Sequence, residues 1–156
     1  MTEENKKRIE KAEQLFVKGF NCSQAVVAAF ADLYGYTESQ ALKLSAGFGG
    51  GLGRMRLTCG AVSGMAILAG MDCGSADPGD SEAKSANYKV VQNLAGKFGK
   101  LHGSLICSEL LKIKKGEPLS YVASERTEEY YKTRPCLNQV ITAARLFADY
   151  LEEKSI

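Results

Sequence analysis

The chain has 156 residues, 45% of them apolar, and a formal net charge of +2 from 20 basic and 18 acidic residues. That length buries a core of ordinary size and leads us to expect one domain over residues 1–156. The charges are interspersed, with no basic stripe carrying aromatics between its cations, which excludes an electrostatic nucleic-acid binder. The longest apolar runs, around 25–31 and 61–71, are too short to cross a bilayer, so no membrane insertion is expected.

Helical periodicity dominates. Ile9, Ala12 and Phe16 form the apolar stripe of a charged first helix ending near Gly19. Cys22, Val26, Ala29, Phe30 and Leu33 line one face of a second, closed by Tyr34-Gly35-Tyr36. Thr37 and Gln40 make a capping box for a third helix from Glu38 to about Ala46. The loop Gly47–Gly53 follows. It lacks the third glycine and the preceding strand of a dinucleotide fingerprint, and it reads as a connector or a close backbone approach.

Residues 58–71, starting at Thr58, are apolar nearly all round and predict a central buried helix. Residues 72–80, with Cys73, read as a loop. A helix over 81–100 would place Tyr88, Val91, Ala95 and Phe98 in the core. A short helix near 105–112 and a turn at Lys115–Pro118 lead to two final helices, the last with Leu137, Val140, Ile141, Ala144, Ala148 and Leu151 on one face. No strand alternation and no internal repeat is present. The expected fold is an all-α, single-domain bundle of about six or seven helices.

Four cysteines carry the chemical signal. Cys22 follows Asn21 and Cys59 follows Thr58, both good N-cap residues ahead of long apolar runs. Pro135 suits the first position of the helix at Cys136, and Ser104 lies three residues before Cys107. Helix starts offer unpaired N–H groups and partial positive charge, which favour thiolate over thiol. Buried cysteines pack like small hydrophobes, but packing does not require four of them at helix starts. Their spacing contains no C-x-x-C pair, which weighs against a zinc ribbon and a thioredoxin-like motif. Four-cysteine ligation of an iron–sulfur cluster needs no such pair if the helices converge.

The N-terminal residues Met1-Thr2-Glu3-Glu4-Asn5-Lys6-Lys7 lack the apolar stretch of a signal peptide. The expected location is cytoplasmic, where five cysteines are reduced, metal-bound or catalytic rather than structural disulfides. Arg54, Arg56 and Arg134 lie close to the cysteines in sequence and would offset their negative charge. Gly60, Ala61 and Gly64 keep one helix face bare for a neighbouring helix or an inorganic cofactor. His102, the one histidine, excludes multi-histidine metal sites; it is a candidate partner for Cys107, though its flanks read as a helix end. Glu109 is a supporting candidate, and Cys73 is expected to have no special role.

The segments Asn21–Val26, Cys59–Gly64, Cys107–Leu111 and Arg134-Pro135-Cys136 together resemble the small redox-active proteins labelled by the pattern C–GCAxxG–C–C. The resemblance covers essentially the whole chain, with Cys-Gly-Ala standing here where the label writes Gly-Cys-Ala. It implies redox activity. A similar domain occurs in split-Soret cytochromes, where an iron–sulfur centre is suspected, but this chain has no C-x-x-C-H for haem attachment. The leading expectation is electron transfer through an iron–sulfur cluster or related metal centre held by Cys22, Cys59, Cys107 and Cys136, with Gly60 beside it. The alternatives are a metal-free thiol–disulfide or sulfur-relay protein using the same thiols, and a zinc-stabilised interaction module. A redox partner is implied, a homodimer is compatible, and whether the protein catalyses a reaction is open.

Overall fold

The structure is a computed structural model and describes residues 1–155. Among them are eight α-helices and no strand: α1 (Glu3–Lys18), α2 (Cys22–Phe30), α3 (Glu38–Ser45), α4 (Gly60–Cys73), α5 (Ser81–His102), α6 (Cys107–Leu110), α7 (Glu128–Thr133) and α8 (Cys136–Lys154). Six are eight residues or longer, as an all-α bundle requires. None is long and apolar enough to cross a membrane.

Local chemistry sets the boundaries. Thr2 caps α1 through the Asn5 amide, and Gly19, at φ +121, ends it. Asn21 with Gln24 and Thr37 with Gln40 both close reciprocal capping boxes, fixing where α2 and α3 begin. Three starts depart from the expected caps. Cys59, not Thr58, is the N-cap of α4, because Thr58 pairs with Ile106 in an isolated antiparallel bridge. Pro135 is the N-cap of α8 rather than its first helical residue. Ser104 accepts from the Ile106 amide instead of capping at Cys107, so Ile106 precedes α6.

The helix α2 is central, packed against α1, α3, α4 and α8, while α4 packs also against α5 and α8. Phe16, Phe30, Phe98, Phe147, Met65, Leu68, Val26 and Val140 are fully buried between them. Each such side chain contributes about 1.5–3 kcal/mol. Phe30 meets Phe147 edge-on at 5.1 Å. Bare glycine surface brings α2 and α4 together, since a Cβ on Gly64 would lie 3.0 Å from Val26 Cβ.

Two expected core residues are not in the core. Leu33 lies in a 3₁₀ turn after α2 and is exposed. Tyr88, 62% exposed, sits on the first half of α5, where only Leu94 and Phe98, further along, are buried. Cys73 is the last residue of α4 rather than part of a loop.

The order of the helices gives the bundle two distinct ends. At one, Asp72 near the C-terminus of α4 accepts hydrogen bonds from Tyr34, Tyr150 and, at 2.8 Å, from Lys154 near the end of α8. The starts of α4 and α8 therefore meet at the other, on the order of 20 Å away at 1.5 Å per helical residue.

Candidate functional site

At that second end Cys22, Cys59, Cys107 and Cys136 line one small cavity of about 50 Å³. Each stands at a helix start, as the first residue of α2, α6 or α8 or as the N-cap of α4. Phe16, Leu111 and Tyr130 supply apolar walls. Arg56, Arg126 and Arg134 also line the chamber, and no carboxylate does.

Glycines make the close approach. A Cβ on Gly60 would fall 2.6 Å from Cys22 Sγ and 2.9 Å from the Phe48 carbonyl oxygen. A Cβ on Gly51 would fall 2.6 Å from Cys107 Cβ. The loop over 47–53 is thus a wall of the chamber and not a mere connector. Gly50, Gly51, Leu52, Gly53 and Arg54 all have positive φ, and Arg56 does too at +63. Bonds from the Arg56 amide to Gly50 O and from the Leu57 amide to Gly51 O tie this winding down. A non-glycine residue in that conformation costs roughly 1–2 kcal/mol, so Leu52, Arg54 and Arg56 hold their positions under strain.

The four thiols are not alike electrostatically. The Cys22 sulfur accepts a hydrogen bond from Cys59 and others from the Gly50, Ser23 and Cys22 amides; together they outweigh its burial and bring its pKa down to about 6. Cys59 is pushed well up, first because its proton serves Cys22 and then because it is buried. That proton has a second acceptor in reach, Gln139 Oε1 at 3.7 Å. Burial raises Cys107, against the pull of Arg56, whose Nη1 donates to Cys107 Sγ at 3.7 Å. Burial and the charges of Cys22 and Cys107 raise Cys136 to about 11, opposed by Arg134 and Arg126. The surroundings thus favour the thiolate at Cys22 and disfavour it at Cys59, Cys107 and Cys136.

Other candidates lie elsewhere. His102 meets Thr142 Oγ1 at 2.9 Å and Phe98 at 4.6 Å between ring centres. It does not line the chamber, so no Cys–His pair forms with Cys107. Glu109 is exposed and accepts from Ser104, away from the thiols. Cys73 donates to the Ala69 carbonyl and accepts from Asn87, at the far end of α4. Among the described residues, no three His, Cys, Asp or Glu side chains are gathered to hold one metal ion.

The lining also includes residues that the sequence reading passed over. Gln139, 3% exposed, stands one turn after Cys136 on α8, a spacing that would have placed it beside the thiol. Arg126 stacks on Phe16 at 4.4 Å and Tyr130 at 4.7 Å and donates to the Phe16 and Phe20 carbonyls. It comes from the irregular stretch before α7, where no periodicity marks it.

A helical bundle with four cysteines at converging helix starts defines a thiol-centred redox protein class. The family described as "Putative redox-active protein (C_GCAxxG_C_C)" matches residues 20–150, and the chain belongs to it. No curated protein and no solved structure matches the chain.

Proposed function

We propose that the protein carries electrons through an iron–sulfur centre held by Cys22, Cys59, Cys107 and Cys136. The observation that carries this reading is the convergence of four thiols, from four separate elements, on one chamber ringed by arginines and free of carboxylates. A dithiol enzyme needs two sulfurs; Cys107 and Cys136 would then have no task.

The residues suit a group that spans several sulfurs. Among the described residues no three thiols are gathered around a single ion position, so the reading rests on the chamber that the four share rather than on a preformed ligand set. The missing Cβ of Gly60 leaves room for the Cys22 sulfur itself at the chamber wall. At about 50 Å³ the chamber is far below the 300–1,000 Å³ or so of an organic cofactor pocket. When bound, a cluster supplies one-electron chemistry, its potential set by charge, hydrogen bonds to sulfur and burial.

The chain's own residues prepare for that. Cys22 is ready to bind as thiolate, while Cys59, Cys107 and Cys136 give up protons on binding. Arg56 donates toward the Cys107 sulfur, and Arg134 and Arg126 offset thiolate charge at Cys136. Phe16, Leu111 and Tyr130 give the chamber apolar walls. The family's redox character implies a redox partner.

One observation favours a second reading. The Cys59–Cys22 hydrogen bond, with a lowered and a raised pKa on its two ends, is what a reversible dithiol–disulfide couple uses. The test is purification without oxygen, followed by iron and acid-labile sulfide assays and visible spectra. Equal iron and sulfide with absorption that bleaches on reduction are expected. Colourless protein after anaerobic reconstitution, with every thiol titratable, overturns the cluster and leaves the Cys22–Cys59 couple.

A further inference from the structure

Beside the chamber lies a second, wider cavity of about 400 Å³ that shares Asn21, Gly50, Arg56, Arg126, Tyr130 and Arg134 with it and adds Arg54, Tyr121 and Ser124. Four guanidinium groups face this vestibule, all half-buried, and no acidic side chain lines it. Among the described residues none of the four is ion-paired: every carboxylate pair of the protein involves Arg8, a lysine or the N-terminus.

Their existing contacts orient them without neutralising them. Arg126 is held by two backbone carbonyls and the faces of Phe16 and Tyr130. Arg54 donates to the Ser124 hydroxyl at 3.2 Å, and Arg134 lies 5.2 Å from the centre of the Tyr130 ring. Burial and the like charges of Arg56 and Arg134 disfavour the charge on Arg54. Arg54 and Arg56 also sit at left-handed φ of +63 each, a backbone cost that places them here. Like charges gathered at such expense are stabilised by an anion, and guanidinium forks match the paired oxygens of phosphate, sulfur oxyanions and carboxylates.

We propose that this vestibule is a binding site for a small dianionic ligand bearing a phosphate, sulfur-oxyanion or dicarboxylate group, seated at the mouth of the cysteine chamber. The volume suits a compound of metabolite size. The site stands on its own charge and shape, whichever redox group the chamber holds. It also gives the chamber a chemically selective entrance, since any molecule reaching the sulfurs from this side passes four cations.

The test is calorimetric titration of the reduced full-length protein with inorganic phosphate, sulfate and malonate, each at constant ionic strength made up with chloride. At least one dianion should bind saturably in the millimolar range or tighter, and the preference among the three separates the ligand sources. Arg54→Gln and Arg134→Gln should each weaken binding tenfold or more, whereas Lys114→Gln, outside the vestibule, should leave it unchanged. Circular dichroism confirms that each variant is folded, and the two arginine variants are independent, so failure of one to fold leaves the other to decide. Absence of saturable binding for all three anions, or binding indifferent to both arginine changes, overturns the proposal. So does binding that vanishes once the chamber is loaded with its redox group, because the arginines would then serve the chamber's charge alone.

Discussion

The sulfur of Cys22 occupies the space where a side chain at position 60 would begin: a Cβ on Gly60 would lie 2.6 Å from it, with the Phe48 carbonyl at 2.9 Å and the Ser23 amide at 3.3 Å on its other sides. Two of these three neighbours are backbone, so the sulfur is what must yield. Gly60→Ala should cost about 1–3 kcal/mol from overpacking, less the ~1 kcal/mol of helix propensity that alanine brings. Melting temperature should fall by roughly 2–4 °C for each kcal/mol lost. Displacement of Cys22 should also slow its alkylation and lower cofactor content. Gly64→Ala meets Val26 and not the chamber, so it should shift stability alone. Equal alkylation rates in wild type and Gly60→Ala would show that the sulfur does not depend on that gap.

Cys22 should titrate far below its fellow thiols. In reduced, metal-free protein its reaction with iodoacetamide should be half-maximal near pH 6. Cys59→Ala removes the leading donor to the thiolate and should raise that midpoint by more than about one unit. A midpoint unmoved by the substitution would mean that the backbone amides alone hold the charge.

Protein stability should follow the same thiols. A depressed pKa at Cys22 stabilises the fold above the ordinary thiol value of 9.0, and this contribution is lost as pH falls from there through about 6. A raised pKa at Cys136 stabilises below 9.0 and is lost as pH climbs through about 11. Denaturant midpoints of the metal-free protein should therefore peak near pH 9, and Cys22→Ser should flatten the acid side of the peak. A profile that keeps rising past pH 9 would contradict the Cys136 assignment, and one that never rises toward pH 9 would contradict that of Cys22.

Serine substitutions should sort the five cysteines by place. Cys107→Ser and Cys136→Ser should each sharply reduce iron and sulfide content while the protein stays folded. Cys73→Ser, which alters only contacts with Ala69 and Asn87 at the far end of α4, should leave both assays unchanged. Loss of the centre in Cys73→Ser would relocate the site.

At that far end, Asp72 gathers Tyr34, Tyr150 and Lys154, and its side chain is only 5% exposed. Asp72→Ala leaves two hydroxyls without their acceptor, and each such loss costs about 1–3 kcal/mol. The melting temperature should drop with no change in Cys22 reactivity. Burial raises the Asp72 pKa, but hydrogen bonds from Lys154, Tyr150 and Tyr34 outweigh it, so the net shift is downward. Its stabilisation is thus full above the ordinary carboxylate range and fades only in stronger acid.

The helices and the four thiols were legible in the sequence because both follow local rules. Apolar spacing gave α1, α2, α5 and α8, and the Asn21–Gln24 box fixed the start of α2. What escaped was set by pairing across the chain. Thr58 lost its cap role to a bridge with Ile106, and Tyr88 kept a core-like spacing on a stretch of α5 with nothing packed over it. His102 stood five residues from Cys107 in sequence, yet the turn at Gly103, φ +86, sends the two to different cavities. Arg126 has no periodic signature at all; only the fold brings it to Phe16 and the thiols.

Because the chamber's first and last thiols stand at positions 22 and 136, the site cannot exist until the chain has been synthesised through Cys136. Translation at roughly 5–20 residues per second separates the synthesis of Cys22 from that of Cys136 by roughly 6–23 s. During that interval the nascent chain presents helix α2 without the walls of Leu111 and Tyr130 closed over its first residue. Oxidation of the early thiols is then a hazard of biogenesis as well as of the finished protein. Assembly of the proposed inorganic centre would have to wait for docking of α8, the helix that brings Cys136 to the chamber.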